Sequence, residues 1–94
     1  MQSARAKPQV IIYSRPGCHL CDEAKQAIAA AGCSDEYTLA EINIESDPNL
    51  LQLYQFDIPV ITINGVEAFR HRLTSAVFRE RLLRSSGSKP TFPT

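Results

Sequence analysis

Residues 9–28 read QVIIYSRPGCHLCDEAKQAI. The first six, Gln9 to Ser14, are a short apolar run with the length of a buried strand. Pro16-Gly17 breaks that run, and from about Cys18 the pattern changes period. Ala24, Ala27, Ile28 and Ala31 then draw a single apolar stripe along a helix. Asp22 and Glu23 stand in its first turn, where the helix dipole favours acids, and Gly32 suits the C′ position. The unit is a strand that becomes a helix across a Pro-Gly break, with two cysteines three residues apart in the first helical turn.

Working outward, YTLAEINI (Tyr37 to Ile44) reads as a second strand. A short helix follows, with Asp47 as its cap and Pro48 at its first position. Leu50, Leu51 and Tyr54 form the apolar stripe of that helix. PVITI (Pro59 to Ile63) is strongly β. Asn64-Gly65 is a hairpin turn in which both residues accept positive φ, so VEAFR returns as the fourth strand. A last helix spans TSAVFRERLLRSS with Thr74 as its cap. The order is β-α-β-α-β-β-α: an α/β fold with a four-stranded mixed sheet flanked by helices. Its first two strands are parallel through a helical crossover and its last two are antiparallel. The expected organisation is a flexible N-terminus over 1–8, one domain over 9–86 and a flexible tail over 87–94.

Ninety-four residues suffice for one compact domain, and 44% hydrophobic content supplies a small core. Ten basic and ten acidic side chains cancel. That balance gives no electrostatic ground for nucleic acid or an anionic membrane as the main partner, and the arginines between Arg70 and Arg84 read as a solvated face. No apolar run approaches the roughly 20 residues that span a bilayer. MQSARAKPQV has no hydrophobic leader core. The expected setting is cytoplasmic and reducing, the expected state monomeric. Three cysteines are an odd number for a disulfide framework, and in a reducing setting a close pair is more often catalytic or metal-binding than structural.

Cys18 and Cys21 admit three readings: a redox centre, half of a metal site, or two small core residues. Helical positions i and i+3 bring Cβ atoms to about 5–6 Å, close enough for a disulfide to form with modest adjustment. The first turn also offers unpaired N–H groups and the positive end of the dipole, both of which stabilise a thiolate. Arg15 and His19 add positive charge nearby; Asp22 and Glu23 oppose it. Cys18 lies at the end of a loop, open to a substrate, and reads as the attacking thiol. Cys21, one turn deeper, reads as the resolving thiol. A tetrahedral metal site wants about four ligands. Cys33, His19 and His71 do not form a second pair at that spacing, so no metal is expected. Cys33 reads as a bystander in a turn, His71 as a surface residue, and Tyr13 and Tyr54 as packing. Pro59 suits the first residue of a strand. Base rates favour a trans bond there, since cis makes up about 5–6% of X–Pro bonds. A functional reading makes it cis, facing the cysteines, with the Ile58 backbone free to pair with a substrate.

VIIYSRPGCHLC, DIPVITING and the strand-helix order together resemble the glutaredoxin branch of the thioredoxin superfamily, over about Gln9 to Ser86. The similarity is to its small glutaredoxin-like members. The resemblance implies a thioredoxin-like, glutaredoxin-type fold, a cis Pro59 beside Cys18, and thiol–disulfide exchange. It places Arg15 where a basic residue meets a glutathione carboxylate. Two departures stand out. The pair is spaced by His-Leu, not Pro-Tyr, and the Gly-Gly turn that holds the γ-glutamyl end of glutathione is replaced by AFRHRLTS. Arg70 or Arg72 is a candidate grip for a carboxylate there, against the plainer reading of two solvated side chains.

The sequence is accordingly read as a thiol–disulfide oxidoreductase in which Cys18 and Cys21 are catalytic. Arg15, His19, Ile58, Pro59 and Arg70 are the expected substrate-binding residues. Its partners would be protein or small-molecule disulfides, with glutathione as candidate co-substrate and no other cofactor. Two alternatives stay open: an iron–sulfur cluster carrier, and a non-catalytic adaptor on the same fold.

Overall fold

A computed structural model describes residues 7–87. The elements are β1 (Gln9–Ser14), α1 (His19–Ala30), β2 (Thr38–Asn43), α2 (Pro48–Tyr54), β3 (Val60–Ile63), β4 (Val66–Arg70) and α3 (Ser75–Gly87). Two 3-10 turns, Ser34–Glu36 and Ile44–Ser46, flank β2. The strands order as β2-β1-β3-β4, with β1 parallel to β2 and antiparallel to β3, and β3 antiparallel to β4. This is the expected four-stranded mixed sheet. The stretches 1–6 and 88–94, read from the sequence as flexible ends, lie outside the described residues. Pro8, assigned to the N-terminal stretch, is buried, and its carbonyl accepts a hydrogen bond from Thr38 N at 3.0 Å. Gly87 closes α3. No helix among the described residues is long and apolar enough to cross a membrane.

Alternation along the strands decides which face is covered by what. Val10 and Ile12 of β1 pair with Ile63 and Ile61 of β3. These four side chains meet Ala24 and Ile28 of α1 and Phe78 and Leu82 of α3 in one buried cluster. Full burial of Phe78 alone contributes about 1.5–3 kcal/mol. Tyr37 stands edge-on to Phe78, ring centroids 5.4 Å apart. Tyr13, one residue along from Ile12, points to the opposite face and meets Tyr54 of α2 at 4.9 Å. So α1 and α3 cover one face and α2 the other.

Local signals close the elements as expected. The Asp47 side chain accepts from Asn49 N at 2.8 Å with Pro48 opening α2. Asn64 and Gly65 take φ of 53° and 82°, the backbone of a two-residue hairpin turn, and Asn64 Oδ1 accepts from Gln9 N at 2.9 Å. Gly32 ends α1 at φ 73°. Carbonyls at the end of α1 also bind α3: Ser75 Oγ donates to Ala27 O at 2.6 Å, which accepts Ala31 N as well, and the Arg79 guanidinium donates to Ala31 O, past the last helical turn. Two features were not foreseen. Cys33 is buried in the main core because the Ser34–Glu36 turn folds it inward. In β4 the register shifts between Ile61 and Thr62, leaving Ala68 as an extra residue. That bulge lets consecutive residues, Ala68 and Phe69, both reach the core.

Candidate active site

The register gathers the sequence-predicted residues at one end of the sheet. Ser14 ends β1 opposite Asn43, which ends β2; Tyr13 is opposite Val60, which begins β3; Val60 is opposite Arg70, which ends β4. The Cys18 turn, the Ile44–Ser46 turn, the Ile58-Pro59 entry and the Arg70–Thr74 segment therefore leave the sheet from the same end.

Within the first of these, Gly17 takes φ 78°, and a Cβ there would meet nothing within 4 Å. The demand for glycine is conformational and not steric. Cys18 is the N-cap of α1, at φ −91° and ψ 108°. Its Sγ accepts the Cys21 backbone N–H at 3.1 Å, and its carbonyl accepts Asp22 N at 3.2 Å. Cys18 and Cys21 are joined as a disulfide with Cα atoms 5.2 Å apart. Cys18 is half-buried and Cys21 is 1% exposed. One sulfur can be reached from outside, and the other lies beneath it at the head of the buried stripe of α1. His19 is exposed on the first turn.

On one side of the cysteine turn lies a polar hollow of about 290 Å³ that includes Ser14, Arg15, Gly17, Lys25, Glu41 and Asn43. Arg15 pairs with Glu45 at 2.8 Å. Ser14, buried, donates its hydroxyl to Glu41 Oε2 at 2.7 Å, and Lys25 Nζ donates to the same oxygen at 3.0 Å. The Ser14 hydroxyl first, then Lys25, hold the Glu41 carboxyl below its ordinary range, while the bond to Glu41 raises the Lys25 ammonium.

The Ile58–Pro59 peptide bond is cis. Pro59 is buried, and its carbonyl accepts His71 N at 2.8 Å. Asp57, just before, meets Arg70 Nη1 at 3.1 Å and His71 Nε2 at 3.8 Å. Arg70 is also gripped in a fork by Glu67, at 2.6 and 2.7 Å. Glu67 foremost, with Asp57, pushes the Arg70 guanidinium above its ordinary value, and Arg70 in turn lowers Glu67. Of the donors that sequence reasoning offered to a substrate carboxylate, Arg15 and Arg70 are thus directed at the protein's own acids. His71 stands at φ 70°, a left-handed backbone that favours glycine, in the turn where the resemblance expects Gly-Gly.

On the other side of the cysteines lies an apolar groove of about 390 Å³ between α1 and the β4–α3 segment. Leu20, the residue beside Cys21, lines it with Phe69, Leu73 and Val77, and so do the charged Glu23 and Arg72. Arg72 is exposed, and no ion pair is recorded for it among the described residues. Sequence reasoning missed the Ser14–Glu41–Lys25 cluster, the role of Asp57 and this groove. All three depend on contacts across strands or between helices. No group of three or more His, Cys, Asp or Glu among the described residues is arranged to hold a metal ion.

With this geometry in hand, the known relatives are informative. A glutaredoxin-like protein of Dictyostelium discoideum, described as a YDR286C homolog, is 36% identical over 67 residues. That match covers 65% of this chain, and the chain spans only 62% of that relative's length. The X-ray structure of the structural-genomics target XcR50 from X. campestris superposes with a TM-score of 0.68 at 26% identity, over 78% of this chain and 93% of that one. A thioredoxin from Fasciola hepatica gives 0.55 at 19% identity, over 87% and 84% of the two chains, and shares the fold. A thioredoxin-type fold carrying a close cysteine pair supports a redox-type function. The family profile described as "Glutaredoxin-like domain (DUF836)" matches residues 9–83, and the chain belongs to that glutaredoxin-like family.

Proposed function

We propose that this protein is a dithiol thiol–disulfide oxidoreductase. The observation that carries the proposal is the N-cap placement of Cys18: half-exposed, its Sγ bonded to the Cys21 N–H at 3.1 Å, with Cys21 buried directly below. A sulfur that caps a helix accepts a hydrogen bond there and feels the positive end of the dipole, and both favour the thiolate.

The exchange balances in two steps. The Cys18 thiolate attacks one sulfur of a substrate disulfide, forms a mixed disulfide and expels the first substrate thiolate, which takes up a proton. Cys21 then loses its proton, attacks Cys18 Sγ and expels the second substrate thiolate. The substrate gains two electrons as two thiols, and the enzyme is left with the Cys18–Cys21 disulfide. Two molecules of a low-molecular-weight thiol, with glutathione the candidate, return the pair to the dithiol and leave as their own disulfide. In this scheme Arg15 and the Ile58 backbone are the candidate contacts for the incoming disulfide.

The test is reduction of hydroxyethyl disulfide by wild type, Cys18→Ser and Cys21→Ser, with intact mass of each after reaction. The expected outcome is complete loss of turnover in Cys18→Ser. In Cys21→Ser the substrate thiol should stay attached to Cys18 as a stable adduct. Turnover that survives Cys18→Ser would sink the proposal.

A further inference from the structure

The apolar groove beside Leu20 does not end at Val77. A second hollow, of about 180 Å³, shares Phe69 and Val77 with it and continues along α3 past Arg81 and Arg84. Val77 and Arg81 are four apart, on one face of the helix. The uncovered apolar surface lies in the first hollow and at Phe69 and Val77, the latter 48% exposed, where the two meet; the second hollow is otherwise lined by Glu80, Arg81 and Arg84. The charges of the combined channel are unevenly satisfied. Arg84 pairs with Glu80 at 3.3 Å, whereas no acidic partner is recorded for Arg72 or Arg81 among the described residues. Glu23, on α1, also lines the first hollow and disfavours an acid beside it.

We infer that this channel docks an extended segment of a protein substrate. The segment carries an apolar side chain next to its reactive cysteine and acidic residues farther along. The apolar side chain covers Leu20, Phe69 and Val77, displacing water from surface the fold leaves open. The acids meet Arg72 and Arg81, whose guanidinium groups bind carboxylates in a fork. A γ-glutamyl tripeptide without an apolar side chain would leave most of that surface wet. The inference rests on the oxidoreductase reading and names its substrate class.

The experiment compares two peptide mixed disulfides with 2-mercaptoethanol. Both carry a cysteine followed by leucine; one then has glutamates and the other lysines. Each rate is normalised to that with hydroxyethyl disulfide for the same protein. Wild type is expected to favour the glutamate peptide about tenfold in kcat/KM, and Arg72→Glu/Arg81→Glu to reverse the preference. Equal rates for the two peptides, with hydroxyethyl disulfide still reduced, would overturn the docking and leave the oxidoreductase reading standing. So would a loss of glutathione disulfide reduction in the variant as large as that of the glutamate peptide, because the channel would then be a glutathione subsite. If wild type reduces none of these disulfides, the reading itself fails. Fluorescence anisotropy of a labelled, cysteine-free glutamate peptide on Cys18→Ser/Cys21→Ser then still decides the docking: salt-sensitive binding lost on charge reversal supports it, and no binding overturns it.

Discussion

The two sides of the cysteine turn are built on opposite principles. In the polar hollow each charge is answered from within: Arg15 by Glu45, and Lys25 by Glu41 and Asp22. Its carboxylate also satisfies a buried hydroxyl, that of Ser14. In the groove the surface is apolar, and the arginines at its margins, Arg72 and Arg81, have no recorded acidic partner within the fold. A closed network has already formed its favourable contacts and gains little from a ligand. An open one can still gain by covering itself. The hollow therefore fastens β2 and α1 to the cysteine turn, and the groove is the side on which a substrate has something to contribute. Substitutions in the hollow should change stability, and substitutions in the groove should change selectivity.

The largest stability effect is expected from Glu41→Ala. It leaves the Ser14 hydroxyl, 3% exposed, without its acceptor. A buried donor stripped of its partner costs about 1–2 kcal/mol, which for a domain of this size lowers Tm by roughly 5–15 °C. Adding Ser14→Ala should restore part of that loss, since it removes the orphan itself; thermal denaturation of the three variants checks this. If Glu41→Ala is neutral, the hollow is not a fastening and the contrast collapses.

Acid should loosen the hollow with a definite sign. The folded Glu41 carboxyl is lowered from its ordinary value of 4.5, chiefly by the Ser14 hydroxyl and then by Lys25. A group whose folded pKa is depressed contributes stability above its unfolded value and loses it as pH falls through the folded one. The Glu41 side chain is 44% exposed, so solvent screens the pair and about 0.5 kcal/mol is expected. Denaturant titrations of wild type and Glu41→Gln, run from neutrality downward, should show a constant gap above 4.5 that closes below it. A gap that widens on acidification would mean that Ser14 and Lys25 do not hold the ionised form.

What sequence reasoning could see divides along the same line. Asp47-Pro48 and Gly32 act through bonds to residues next to them, and Asn64-Gly65 through the backbone angles of its own turn, so their chemistry is present in a short window, and each does what its type dictates. The strand-break-helix unit at Cys18 was legible for the same reason. Arg70 and Arg72 could not be told apart, because their difference is set at a distance. The bulge at Ala68, together with Glu67 and Asp57, directs Arg70 at the protein's own acids and leaves Arg72 at the groove. Ser14 and Glu41 are 27 residues apart and meet only through the register of β1 on β2. Cys33 reads as a turn residue by position and becomes core by the way that turn folds.

The most discriminating pair of variants uses the two arginines that lie one on each side of the cysteines. Arg15 is held by Glu45 at 2.8 Å, with both side chains about two-fifths exposed. Arg15→Glu replaces that attraction with two facing carboxylates and should cost up to about 1 kcal/mol. Arg72→Glu removes no recorded ion pair among the described residues and should stay within about 0.5 kcal/mol of wild type, as surface changes away from packed features do. The same two proteins, assayed with the glutamate and lysine peptides, should exchange roles: Arg72→Glu shifts the preference and Arg15→Glu does not. If Arg15→Glu shifted it as much, the substrate would be reading the overall charge around the cysteines. A shift confined to Arg72→Glu would mean that the substrate lies along α3.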